Sequence, residues 1–192
     1  MGLSVAVLPD VAEQVAYSLI GGLTARWKHT IGVAERAAEL AQSLPVEAEV
    51  LVAAAWLHDI GYADATRNTG FHPLDGAAYL AGRQWPPRIV GLVAQHSGAA
   101  FVAAARGLAD ALAAYPDGGG LLSDALTYAD QTVGPAGERV TTEQRRTEML
   151  WRHGPESWNA RVDSVRAPHL RAVADRVERR LARSARLEKA MT

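Results

Sequence analysis

Residues 50–62 read VLVAAAWLHDIGY. The stretch from Val50 to Leu57 is wholly apolar yet far shorter than the ~20 residues needed to cross a bilayer, so it reads as a helix segment buried in a protein core. His58 and Asp59 close it. A charged carboxylate at the end of so apolar a segment is expensive unless it is hydrated or neutralised, and a divalent cation would neutralise it. Taken alone the pair is weak evidence, because a His-Asp dipeptide at a helix end arises readily by chance.

Outward from this segment, Ala, Leu, Arg and Glu dominate, and alternating runs of β-branched residues are nearly absent, so the expected class is all-α with no strand. Helices are expected over residues 10–19, 24–43, 45–61, 72–82, 86–96, 121–131 and 168–190, with a further start at Thr141. In residues 24–43, Ile31, Ala34, Ala38 and Ala41 recur at the spacing of one helix face. Pro45 suits the first turn of the central helix, and Gly61 its left-handed exit. The polar stretch 62–71 reads as a loop. Tyr115-Pro116-Asp117 with Gly118, Gly119 and Gly120 is a strong breaker, and residues 134–137 form a second one. Beyond it the chain turns basic, ending in an Arg-rich amphipathic helix expected to pack through Leu170, Val173, Val177 and Leu181 with its arginines in water.

One domain accommodates the 192 residues, with a core region over about 20–135 and a helical extension over about 138–192. Hydrophobic residues make up 48% and charged residues 21%, which is a globular composition. With 20 basic and 21 acidic side chains the net charge of −1 gives no field to draw the chain to nucleic acid or to an anionic membrane, and neither partner is expected. The opening MGLSVAVLPD lacks a basic n-region and meets Pro9 early, which argues against a signal peptide. The absence of cysteine fits a reducing, cytoplasmic setting and leaves histidine and carboxylate as the available metal ligands. Composition is silent on oligomeric state.

Six histidines are present, and four sit at helix ends or in apolar helices with small neighbours. Taken in order, the chemistry-bearing residues are His29 within RWKHT, His58 and Asp59, His72 within GFHPLDGAAYL, His96 within AQHSGA, and Asp130. This series resembles the HD superfamily of metal-dependent phosphohydrolases over residues 20–135. The resemblance implies a helical HD-domain bundle in which His29, His58, Asp59 and Asp130 hold a first metal ion. The two additional histidines resemble those of a bacterial branch that includes hydrolases of dinucleoside polyphosphates, which implies a binuclear site, with Asp59 bridging and His72 and His96 completing the second position. Imidazole and carboxylate donors suit Fe, Mn, Co, Ni or Zn. Two such ions acidify a bridging water into a hydroxide nucleophile and stabilise phosphoryl charge, so no side-chain nucleophile is needed.

Arg26 lies three residues before His29 on the same helix face and is the leading candidate to bind phosphate and stabilise its transition-state charge. Lys28 is a candidate for the mouth of the site. Asp64 as general acid and Arg67 as a second phosphate contact are candidates from the loop after the HD pair. Tyr62 stands where many relatives carry lysine. Trp27 and Trp56 flank ligand-bearing turns and are candidates to stack on a base. Arg139, Arg145 and Arg146 follow Asp130, but they and His153 and His169 read as surface or packing residues. The leading expectation is a hydrolase of a phosphate ester or anhydride in a nucleotide or dinucleoside polyphosphate. Its competitors are a di-iron oxygenase of a small alcohol or phosphonate and a non-catalytic ligand-binding regulator; the filled ligand positions rank the regulator last.

Overall fold

The computed structural model describes residues 8–117 and 119–191. The first seven residues, read above for a leader, and Gly118 of the breaker lie outside the described residues. The helices are α1 (Leu8–Ile20), α2 (Thr24–Ser43), α3 (Ala48–Leu57), α4 (His72–Gly82), α5 (Pro87–Gln95), α6 (Ala99–Ala105), α7 (Ala109–Ala113), α8 (Gly120–Gln131), α9 (Thr142–His153), α10 (Trp158–Arg161) and α11 (Asp163–Met191). Short 3-10 turns follow α3 at Ile60–Tyr62 and α5 at His96–Gly98. The all-α expectation holds: among the described residues the single β-type pairing is an isolated antiparallel bridge between Val133 and Arg139.

Helix α3 is the axis of the bundle, packed by α1, α2, α5 and α8. Most of it faces the core: Leu51, Ala53, Ala54, Ala55 and Leu57 are fully buried, Val52 and Trp56 half-buried, and Glu49 alone is exposed. The segment Pro87–Ala105 also reaches the length and hydropathy of a membrane span, but it is broken at His96–Gly98 and 67% of its most apolar window is buried in the bundle. Trp27 and Trp56 stack on each other at 5.5 Å, and Tyr17 meets Trp27 edge-on, so these rings close a hydrophobic corner rather than offer a platform for a base.

Three boundaries depart from expectation. Pro45 is not in the first turn of the central helix, which begins at Ala48 after an N-cap at Glu47. Helix α3 stops at Leu57, and Gly61 is not in the left-handed region. It lies in the 3-10 turn beneath α4, where a Cβ would come within 2.0 Å of the His72 carbonyl oxygen; the glycine is there for close approach. The last helix begins at Asp163 rather than at Pro168, which it carries inside its second turn. Pro168 has no N–H to return to the Ser164 carbonyl, a local loss that the longer packed helix absorbs. As expected, α11 buries Val173 and Val177 and half-buries Leu170 and Leu181. It is fastened to α8 by an Arg176–Asp124 fork at 2.7 and 2.8 Å, and to α9 by Arg146 on Asp163.

Candidate metal centre

Each ligand candidate arrives from a different element. His29 projects inward from the second turn of α2, His58 caps the C-terminus of α3, Asp59 begins the following 3-10 turn, His72 opens α4, His96 caps α5, and Asp130 sits in the last turn of α8. The approach to His72 is fixed by Asp75, which accepts from the Thr69 and Gly70 N–H groups and the Thr69 hydroxyl at 2.7–2.9 Å and so folds the preceding loop onto α4. After His96 the chain turns through two left-handed residues, Ser97 (φ 53°) and Gly98 (φ 68°). That conformation is unusual for serine and is held by the bond from its N–H to Thr127 Oγ1 at 3.1 Å and by its hydroxyl, which donates to Asp130.

These placements assemble two groups, His29 with His58 and Asp130, and Asp59 with His72 and His96, and within each the ligand atoms lie within 4.8 Å of one another. Asp59 stands between them. Its Oδ2 is 3.3 Å from His58 Nε2 and 3.9 Å from His29 Nε2, while its Oδ1 is 3.3 Å from His72 Nε2. One carboxylate therefore presents an oxygen to each group, the geometry a bridging ligand needs.

Tautomers point the same way. Nδ1 of His29, His58 and His96 meets the carbonyls of Gly134, Ala55 and Val93 at 3.1, 2.6 and 2.6 Å. A ring that donates from Nδ1 to a carbonyl carries its lone pair on Nε2, which is how a ligating histidine is oriented. His58 Nε2 is fully buried without a hydrogen-bond partner, and His72 Nε2 faces His96 Nε2 at 3.3 Å. Such buried nitrogens are expensive unless a cation takes their lone pairs.

Burial pushes the His29, His72 and His96 imidazoles below their ordinary range, against the pull of Asp59 and Asp130. It also opposes charge on the two carboxyls. That is overridden by Arg26 and His58 around Asp59 and by His29 and Arg145 around Asp130, so both stay well below the usual carboxylate range. For His58 the Asp59 charge outweighs burial and raises the value. Predominantly neutral imidazoles with ionised carboxylates form a donor set that fits a divalent transition metal.

Arg26 Nη1 donates to Asp59 Oδ2 at 2.6 Å, with its guanidinium 4.0 Å over the Tyr62 ring, and that ring stacks on His72 at 4.1 Å. Tyr62 thus wedges the arginine and the histidine into place. The remaining substrate candidates are not brought to the site. Asp64 and Arg67 are 94% and 60% exposed, pair with each other at 3.5 Å, and line no part of the cleft. Their nearness to the HD pair in sequence does not carry over, because the turn after Tyr62 faces outward. Lys28 is likewise exposed and lines no part of the cleft.

The helical extension supplies what the sequence reading left at the surface. A cleft of about 60 Å³ opens over the metal centre, and α9 to α11 form its far wall with Arg145, Met149, Arg152, His153, Asn159 and Arg166. Arg145 is buried, with Nη2 3.4 Å from His29 Nε2 and 3.5 Å from Asp130 Oδ1. Arg166 is buried too, its Nε donating to the Ser97 carbonyl at 2.9 Å. A signal for it existed: Arg166, Leu170, Val173 and Val177 share one face of α11, and an arginine on an apolar stripe has been placed inside on purpose. Arg139 and Arg146 do remain outside, on Glu39 and on Asp163. His169 packs beside Phe101.

Comparison with curated proteins and with solved structures returned no match. The HD-domain family model matches residues 26–134, more than half of the chain, and spans the whole ligand series from His29 to Asp130. The chain therefore belongs to the HD-domain family, whose members are generally metal-dependent phosphohydrolases.

Proposed function

We propose that this protein is a binuclear phosphohydrolase that cleaves a phosphate ester or anhydride of a nucleotide or dinucleoside polyphosphate. The observation that carries the reading is Asp59, one carboxylate with an oxygen turned to each of two His-containing ligand groups. His29, His58 and Asp130 would hold one divalent ion, His72 and His96 the other, with Asp59 shared. Bound there, the ions supply an activated water and stabilise the charge that develops on the phosphoryl oxygens.

The chain's own residues do the rest. Arg26, braced by Tyr62, presents a guanidinium fork at the rim of the ligand cluster, where it can follow the charge on the reacting phosphoryl group. The narrow cleft has room for a handful of water-sized groups, enough for ions and a phosphoryl group. A nucleoside portion would extend past Arg152 and His153 at the mouth. In hydrolysis a water oxygen bonds to phosphorus, the bond from phosphorus to the leaving oxygen breaks, and the leaving oxygen acquires a proton. Arginines on both walls favour an anionic substrate over a small neutral alcohol.

The test is metal analysis of purified protein coupled to phosphate release from a panel of nucleotides and dinucleoside polyphosphates. About two ions per chain with turnover of at least one panel member is the expected result. Full metal occupancy with no hydrolysis across the panel would overturn the reading.

A further inference from the structure

The extension concentrates positive charge on the cleft beyond what the protein neutralises. Arg145 Nη1 and Arg152 Nε both bind the Glu148 carboxylate, at 2.6 and 2.7 Å, so two guanidinium groups share that counter-charge, and Arg145 has beside it only the longer 3.5 Å approach to Asp130 Oδ1. Arg166 has none: among the described residues no carboxylate is within ion-pair distance, and its partners are the Ser97 carbonyl and Asn159 Oδ1 at 3.4 Å. It is nonetheless buried, only 8% exposed, and burial pulls its pKa below the ordinary arginine value. A buried guanidinium that faces a cleft without a counterion is costly, and a ligand anion is the natural compensation. Arg145 adds an Nε that is buried without a hydrogen-bond partner. Asp130 acts on Arg166 only from beyond ion-pair distance and is shared with Arg145 and His29, and Asp59 already pairs with Arg26, so neither carboxylate is a dedicated counterion for Arg166.

We propose that Arg145, Arg152 and Arg166 form an anion pocket beside the metal centre that holds a second phosphoryl group, so that the substrate is a phosphoanhydride rather than a simple phosphate monoester. The placement fits adjacent phosphoryl groups. Arg145 touches the His29 and Asp130 donors directly, and Arg166 is one residue removed, bound to the carbonyl of Ser97, whose hydroxyl donates to Asp130. A monoester would place its charge at the ions and leave Arg166 uncompensated. A diphosphate spans both positions. The identity of the anion rests on the phosphohydrolase reading; the pocket itself rests on the arginines.

The test titrates inorganic pyrophosphate and orthophosphate into Mn-loaded protein by calorimetry, with metal content measured on the protein recovered afterwards so that stripping by pyrophosphate is separated from binding. Wild type should bind pyrophosphate at least about tenfold more tightly than orthophosphate, the scale of one charge-assisted contact. Arg166→Gln, which keeps a donor for the Ser97 carbonyl but removes the charge, should abolish most of that ratio at unchanged metal content. A purely structural Arg166 would leave the ratio intact. Arg152→Gln, at the exposed mouth and without risk to folding, should reduce it several-fold. A wild-type ratio near one, or ratios unchanged in both variants, would overturn the pocket. If the protein takes up no metal, the phosphohydrolase reading falls, and the same titration of the metal-free protein still decides the pocket by whether the pyrophosphate preference and its loss in the variants persist.

Discussion

Asp59→Asn separates the structural duties of that side chain from its duty to metal. The substitution conserves volume, so it opens no cavity in a site where Asp59 is 2% exposed. In the metal-free protein it replaces the ion pair with Arg26, 2.6 Å long, by a bond to a neutral amide oxygen and removes the charge that faces three histidines. Leaving the part-buried Arg26 charge without its anionic partner costs about 2 kcal/mol, which for a chain of this size lowers the midpoint of thermal unfolding by about 4–8 °C. With metal the difference widens. At free metal a hundredfold above its dissociation constant, wild type gains about 2.7 kcal/mol per ion, whereas an amide oxygen cannot bridge two cations as an anion does. The assay is plasma emission analysis together with thermal unfolding followed by circular dichroism, with and without chelator. The variant should hold less than one ion per chain and show little metal-dependent rise in midpoint. Wild-type metal content with the full rise would refute the shared-ligand reasoning.

Removing the second ligand group should be selective: His72→Ala and His96→Ala should each lower the metal stoichiometry from about two toward one and depress turnover about a hundredfold or more. Stoichiometry unchanged in both would leave a different ligand set. Gly61→Ala forces a Cβ to within 2.0 Å of the His72 carbonyl oxygen, so backbone must move; a loss of about 3 kcal/mol in urea unfolding is expected, with weakened metal binding because His72 shifts with α4. Thr141→Ala breaks the capping box formed with Gln144 at the start of α9, which should cost about 1 kcal/mol by the same assay and measure how firmly the arginine-bearing helix is anchored.

The clustering of His29, His58, Asp59, His72, His96 and Asp130 was legible because they break a rule: histidines and aspartates in or beside apolar helices demand a reason, and their order supplied one. The bundle was legible from the apolar run of α3 and from its flanking prolines and glycines. What stayed hidden depended on how distant segments meet. Arg145 and Arg146 are neighbours in sequence, yet one is buried against Asp130 and the other pairs with Asp163 near the surface; only the docking of α9 on α11 decides which. The same holds in reverse for Asp64 and Arg67, two to five residues from a site residue and turned away from it. Gly61 put the end of α3 too late, at a glycine whose reason for being there, a close approach by α4, cannot be seen from local conformational preference.

His58 and His96 are fixed by the same device, Nδ1 held by the carbonyl three residues back in the final turn of its own helix. Those carbonyls belong to the part of a helix that ordinarily frays first. Ion binding at Nε2 would then be felt through the ring by the last turns of α3 and α5, tightening backbone that has no contact with the ion. Amide hydrogen exchange over residues 54–58 and 92–96 should slow on metal loading, while the second turn of α2, which carries His29 on an uninterrupted helix, should change much less.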